Sequence, residues 1–399
     1  MNPVSKVSVT GIGCVCAAGG NLEICMDSLF AGRRAPRPPT RFASDHPTEY
    51  PVFEIPRSAP SIAPSSQADI MLTARLALAA TQEAVENAGW NRHMLRNTRM
   101  GVCIGTTVGS AMNNEAFYRD YRSGQHPDTH AITKFLNSNP ARVIAREYNL
   151  TGPCQTVVNA CSSGTDAIGL GASWIRSNLC DVVIAGGADE LCRVTYNGFI
   201  SLMITDDSPC KPFDAKRKGL NLGEGAAIML LESDEMCRSR QGSIRASVLS
   251  YGSACDAFHL TAPAPDGKGL KQALTSAMTA ANLKIEDVAF VNAHGTGTPD
   301  NDRVESNVLH ELLPGVPFLS TKGYTGHALG AAGAIEAAFT IACLEAGMIP
   351  VSAGFTTRDP ELATTPVKRQ TPVKGTIAIT QSLAFGGNNA VVILGKGEA

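Results

Sequence analysis

Short, continuous apolar runs alternate along this chain with segments whose apolar positions recur every three to four residues. The first kind predicts strands, with Asp181–Gly186 expected to be buried on both faces, and the second amphipathic helices. Strands are expected over Val4–Thr10, Met100–Ile104, Gln155–Asn159, Asp181–Gly186 and Val288–Ala293. Helices are expected over Ala68–Ala88 (closed by Gly89), from Pro140, from Cys161 to about Ser177, over Leu270–Ala281 and over Ala331–Ala346. The Pro-rich stretch from Pro36 to Pro64 reads as an irregular surface excursion, and the polar segment Asn113–Asn139 as an inserted cap. A second series of strands and helices starts near Ser243 and ends in two C-terminal strands. This alternation predicts an α/β fold with mainly parallel sheets, and the similar order of the two series points to an internal duplication.

Composition narrows the function classes. With 44% hydrophobic and 18% charged residues among 399, the chain has the balance of a globular protein with extensive buried or intersubunit surface. A net charge of −2 gives no support to nucleic-acid binding. No run reaches the roughly 18 consecutive apolar residues of a membrane span, and the first residues lack a signal-peptide pattern. A cytoplasmic location with reduced thiols is therefore expected, and no membrane partner. The turn after the first strand is not a dinucleotide fingerprint, because Cys16 stands where a third glycine would follow Gly11 and Gly13. Twelve scattered cysteines include no repeated CxxC pair. Cys14 and Cys16 form a lone CxC that would need two more ligands to hold a metal, so all cysteines but Cys161 read as small buried hydrophobes.

Three segments carry candidate chemistry. Cys161, in VVNACSSGTDAIG, follows an apolar strand and opens a Gly/Ala/Ser-rich helix. A helix N-terminus favours a thiolate over the thiol's ordinary value of about 8.5 and can hold a developing oxyanion. His294, in VNAHGTGTPDND, stands at the C-terminal end of a strand, where α/β sheets place ligand sites. His327, in STKGYTGHALGAAGA, sits among residues too small to need a histidine for packing.

These segments, with VTGIG, PFDAKRKGLNLGEGAA and LAFGGNNA, run in order nearly end to end, and the chain resembles the elongating β-ketoacyl-[acyl-carrier-protein] synthases. The resemblance implies a thiolase-type fold, five-layered αβαβα, built from two duplicated halves. Residues 1–242 would carry the nucleophile and the cap insertion, residues 243–399 both histidines. It implies that Cys161 accepts the acyl group and that His294 and His327 bind the malonyl thioester carbonyl. Lys322 matches the lysine before the second histidine and Glu336 its ionic partner. Phe385 matches the aromatic residue at the acyl pocket, whose amide joins that of Cys161 in an oxyanion hole. Thr296 and Thr298 match threonines that contact the phosphopantetheine arm. Phe199 and Val108 are expected at the acyl pocket, and Asp302 and Glu305 in a structural role. The reaction implied is decarboxylative condensation with malonyl carrier protein, without metal or redox cofactor. Acyl and malonyl carrier proteins are the implied partners, with a homodimer or a heterodimer with a related subunit.

Rival readings predict different residues. A chain-length factor would lack the cysteine, and a priming synthase or thiolase would carry Asn or a second Cys in place of His327. A catalytic or pocket-shaping subunit of a ketosynthase/chain-length-factor pair, and a thioester hydrolase on the same scaffold, stay open. Ala384 stands where a glycine is usual before Phe385, which is expected to stiffen the gate of the acyl pocket. His259 is expected at the pocket mouth, and Met203 replaces a basic contact found in some relatives. Lys211, Lys216, Arg217 and Lys218 form a basic cluster that could meet an acidic carrier.

Overall fold

The computed structural model describes residues 6–56, 59 and 69–397. The start of the expected first strand (Val4), the start of the next helix (Ala68) and the segment 60–64 lie outside them. Twelve strands are present among the described residues: β1 Val7–Cys16, β2 Met100–Gly105, β3 Cys154–Val157, β4 Val182–Asp189, β5 Gly225–Ser233, β6 Ala246–Cys255, β7 Val288–Asn292, β8 Phe318–Leu319, β9 Met348–Ile349, β10 Thr371–Pro372, β11 Ile377–Ala384 and β12 Asn388–Lys396. Ten form one sheet in the order β3-β2-β4-β5-β1-β6-β12-β11-β7-β8, and β9 and β10 form a separate pair. Outward from the β1/β6 seam the order 1-5-4-2-3 recurs as 6-12-11-7-8, with parallel and antiparallel pairings at the same places. The duplication is thus visible in topology, although the two halves share little sequence.

The expectation of mainly parallel sheets is not met. β2 pairs in parallel with β3 and β4, and β7 with β8 and β11, but every pairing of β1, β5, β6 and β12 is antiparallel. β11 passes to β12 through the turn Phe385–Gly387, too short for the crossover a parallel pair requires.

Period-two alternation explains the apolar runs. On β4 and β5, Val182, Ile184, Ala226, Ile228 and Leu230 face an outer layer with helices Leu72–Asn87 and Pro140–Tyr148. Val183, Ala185, Ala227, Met229 and Leu231 face inward. Helices Lys268–Ala280 and Pro299–Leu312 cover the outer face of the second half. Between the halves lie helices Ser163–Arg176 and Ala332–Ala346, completing five layers. The segment Leu329–Ala346 is long and apolar enough for a membrane span by composition, yet it is 89% buried as the central core helix.

Small residues let these central elements touch. A Cβ on Gly164 would lie 2.8 Å from the carbonyl oxygen of Gly330, and one on Gly187 would lie 2.7 Å from the same oxygen. This close approach brings the segment after β3, which carries Cys161, against the segment that carries His327. The polar cap region folds as two exposed helices, Glu115–Arg122 and His130–Asn137.

Candidate active site

Cys161 is buried and sits just before the N-cap Ser162 of helix Ser163–Arg176. Ala160 takes a left-handed backbone (φ 48), unusual for a residue with a Cβ, and turns the chain sharply from β3 into the helix. Its carbonyl accepts from Ser163 Oγ at 2.6 Å and Thr107 Oγ1 at 3.1 Å. Buried Asp166, one turn on, accepts from Asn159 Nδ2 (2.6 Å), Ser162 Oγ (2.8 Å) and Tyr251 Oη (2.7 Å), so a single carboxylate braces the turn.

The thiol is not activated in the resting site. Burial pushes it up to about 11, and the lowering by Lys322 and by the backbone N–H groups of Phe385 and Cys161 does not compensate. Desolvation outweighs the helix N-terminus expected from sequence to favour thiolate. The same two N–H groups face the sulfur.

His294 follows β7 and is held from both sides. Its N–H donates to Glu305 Oε1 at 2.6 Å, and the N–H of Gly295 to Glu305 Oε2 at 2.7 Å. Gln381 Nε2 donates to Glu305 at 2.6 Å, and Asp302 accepts the N–H groups of Phe213 (2.7 Å) and Gly297 (3.2 Å). Asp302 and Glu305 therefore clamp the loop from behind. Gly295 and Gly297 have φ of 38 and 83, and a Cβ on Gly295 would meet the Cβ of Ser320 at 2.5 Å, so the loop requires glycine there.

Lys322, buried on the short helix Lys322–Thr325, reaches His294 Nδ1 (3.1 Å), the His294 carbonyl (2.7 Å) and Glu336. An ammonium has three hydrogens and no acceptor. All three are therefore used, and His294 Nδ1 must accept. In His327, Nδ1 accepts the N–H of Leu329 at 3.1 Å. Its backbone is pinned on both sides: its N–H donates to the Asn221 carbonyl (2.8 Å) and its carbonyl accepts from Gly223 (2.9 Å). Both imidazoles thus carry their proton on Nε2, and the rings stand 5.2 Å apart at 84°. Burial first, with Lys322 second, holds both well below the ordinary histidine range, so both are neutral donors.

Cys161, His294 and His327 line one cavity of about 370 Å³ together with Thr296, Thr298, Phe199 and Phe385. The Thr296 and Thr298 hydroxyls lie 2.8 Å apart, and the Phe199 and Phe385 rings stack with centroids 5.6 Å apart. Lys322, Glu336, Asp302 and Glu305 stand behind this lining rather than in it. Val108, half-buried on the loop after β2, is not among the lining residues. Ala384 has φ −128 and ψ 155, extended backbone open to any residue, so alanine is unstrained in this state; the left-handed bend falls on Gly386 and Gly387.

His259 is exposed and caps its own loop, accepting from the N–H groups of Thr261 (3.1 Å) and Ala262 (3.2 Å), which line the cavity. Met203 is 87% exposed at the mouth. The basic cluster does not act as a unit. Arg217 is turned inward to Asp359 (2.5 Å) and Asp302 (3.8 Å), Lys211 bonds Ser208 (2.7 Å), and Lys216 and Lys218 face out.

Two supporting acids were missed in the sequence. Asp166 lay within the nucleophile motif itself. Asp189, an acid ending an apolar strand, accepts from Thr106 Oγ1 (2.7 Å) and the N–H groups of Thr107 (2.7 Å), Gly109 (3.1 Å) and Gly330 (2.7 Å). It ties the loop after β2 to the segment following His327, and burial pushes its carboxyl up to about 6.

Residues 4–236 match the β-ketoacyl synthase N-terminal domain and residues 245–356 the C-terminal domain. The chain is 30% identical to the 3-oxoacyl-[acyl-carrier-protein] synthase 2 of Synechocystis, over 98% of each chain. It is 31% identical to the tetracenomycin polyketide synthase ketoacyl synthase alpha subunit of Streptomyces glaucescens, over 98% of this chain and 97% of that one. The solved structure of the ishigamide ketosynthase/chain length factor superposes with a TM-score of 0.92 at 32% identity, covering 99% of this chain and 100% of that one. A buried thiol facing two neutral imidazole donors, on a duplicated five-layer scaffold, accords with these likenesses: the chain belongs to the β-ketoacyl synthase family, as a condensing enzyme of the elongating type on the thiolase fold.

Proposed function

We propose that Cys161 carries the acyl chain and that His294 and His327 stabilise the enolate of a malonyl thioester. The observation that carries this reading is that both Nδ1 atoms are occupied as acceptors, which leaves two Nε2–H donors on neutral rings in the cavity shared with the thiol. The Cys161 sulfur attacks a carrier-bound thioester; the S–acyl bond forms and the carrier thiol leaves with the proton. The oxyanion is held by the N–H groups of Cys161 and Phe385. Malonyl carrier protein then enters, its C–CO2 bond breaks, and the electron pair becomes an enolate whose oxygen accepts from both imidazoles. The carbanion attacks acyl-Cys161, giving the β-ketoacyl carrier product, carbon dioxide and free thiolate. Lys322 and Glu336 position His294, Thr296 and Thr298 meet the phosphopantetheine arm, and Phe385 and Phe199 wall the acyl pocket, which Val108 does not line. The nucleophile comes from residues 1–242 and both donors from residues 243–399.

Acyl and malonyl carrier proteins are the proposed partners, no cofactor is required, and the free thiols suit the cytoplasm. Incubation with acyl carrier protein should leave acyl on Cys161, detected by peptide mass spectrometry. Normal condensation by Cys161→Ala would overturn the assignment. Likeness to a polyketide alpha subunit and to a ketosynthase/chain length factor structure favours a second reading, the catalytic member of a heterodimer. Inactivity alone, and activity restored by a co-purifying relative without the cysteine, would establish it.

A further inference from the structure

We propose that Cys14, Cys16 and Cys25 form a three-thiolate site for a soft, closed-shell cation of low coordination number, represented by Cu(I). The CxC in β1 lacked partners in sequence; the fold supplies one. Residues two apart on a strand share a face, so Cys14 and Cys16 both point inward, and helix Leu22–Phe30 lays Cys25 against them. The three sulfurs lie within 4.8 Å of one another, and Cys16 and Cys25 are 3.6 Å apart. A metal bonded to three thiolates at about 2.3 Å needs sulfurs roughly 4 Å apart, within this range.

The turn between the ligands is rigid. Cys16 and Gly19 exchange backbone hydrogen bonds of 3.0 and 3.1 Å, and Asn21 caps the helix through the N–H of Ile24 at 2.9 Å. Among the described residues no fourth His, Cys, Asp or Glu joins the cluster. The nearby Glu83 carboxylate is engaged by the N–H groups of Cys14 (2.8 Å) and Leu22 (2.9 Å). Three soft donors without a fourth suit a three-coordinate monovalent ion better than tetrahedral zinc. A surface cavity of about 390 Å³, walled by Leu22, Met26 and Glu83, opens beside the helix that carries Cys25, and the Met26 thioether places a further soft donor in its wall. On binding, metal–sulfur bonds form, the thiol protons pass to solvent, and no electron is transferred. The ion would staple β1 to the first helix, outside the lining of the active-site cavity.

The test is anaerobic titration of the reduced, metal-free, full-length protein with Cu(I) against bicinchoninate. One equivalent should be retained by the native chain. Cys14→Ser, Cys16→Ser and Cys25→Ser should each weaken it at least about 100-fold, with Cys237→Ser and Cys343→Ser unchanged. X-ray absorption of the native copper form should show three sulfur neighbours, a readout that holds even where a variant fails to fold. Equal retention by the triple variant, nitrogen or oxygen neighbours, or no retained copper would each overturn the proposal.

Discussion

Lys322 donates both to Nδ1 of His294, at 3.1 Å, and to the carbonyl of the same residue, at 2.7 Å. One ammonium thus fixes the tautomer and the backbone of a single imidazole, while Glu336 balances its charge.

Replacing Lys322 by Met should leave the buried Glu336 carboxyl protonated and without its partner, and cost about 1–3 kcal/mol of stability. Lys322→Met combined with Glu336→Gln should recover most of that loss in denaturant titrations. Decarboxylation of malonyl carrier protein should stay depressed by roughly 10²–10³ in both, because His294 is free to present its proton on the wrong nitrogen. Full catalytic recovery in the double variant would show that Lys322 serves stability alone.

The resting thiol, pushed up to about 11, should react slowly with iodoacetamide at neutral pH. Its alkylation rate should climb about tenfold per pH unit from 7 to 10 without a plateau. A plateau near pH 7 would mean that the site stabilises thiolate after all.

The histidines and the glutamates behind them pull stability in opposite directions with pH. Both imidazoles are held well below 6.5, so below that pH the unfolded chain takes up protons that the native state refuses, and stability falls with falling pH. Glu305 and Glu336, raised by burial to about 7, bind protons in the native state first, so their contribution is present at low pH and is lost as pH rises through 7. His327→Asn removes one opposing group. Relative to the native chain it should gain up to about 1.4 kcal/mol per unit as pH falls below 6.5, measured by urea unfolding at pH 7, 6 and 5.

Asp166→Ala should leave Asn159 Nδ2 and Tyr251 Oη without this acceptor, while Ser162 Oγ keeps the Asn159 carbonyl at 2.9 Å, and each donor left unpaired costs about 1–3 kcal/mol. Acylation of Cys161 should slow with it, because the turn through Ala160 loses its brace. Unchanged melting and acylation would remove Asp166 from the positioning set.

Gly330→Ala should be poorly tolerated. Its Cβ would lie 2.5 Å from the N of Thr107 and 2.7 Å from Asp189 Oδ2, and the first of these is backbone. A drop in melting temperature far larger than for Gly198→Ala, whose Cβ would meet nothing, is the expected contrast in calorimetry.

Much of the site was legible because its residues lie in contiguous motifs: Cys161, His294 and His327 reach one cavity, and Lys322, Glu336, Asp302 and Glu305 stand directly behind it. Strand β4 was legible as an apolar run because both faces of the sheet are covered there, whereas the equally buried β5 was not among the strands expected. Strand direction was not legible, since a continuous apolar run reads alike in parallel and antiparallel pairs, and β5 carries no turn signal that fixes its sense. The thiol's protonation was misjudged because a helix N-terminus is visible in sequence and desolvation is not. Cys25 could not be joined to Cys14 and Cys16 because it meets them only when the first helix packs on β1.

Two neutral imidazoles make the cavity a poor host for a carboxylate. They offer hydrogen bonds without positive charge, and Lys322 behind them has every hydrogen committed elsewhere, which leaves Lys218 as the cation among the lining residues. On the proposed reading, a malonyl group entering such a site would keep its negative charge on the carboxylate only at the expense of solvation, whereas its thioester oxygen would meet two donors. Charge migration from carboxylate to enolate, with departure of an uncharged gas, is then the relaxation that the empty-handed site itself favours.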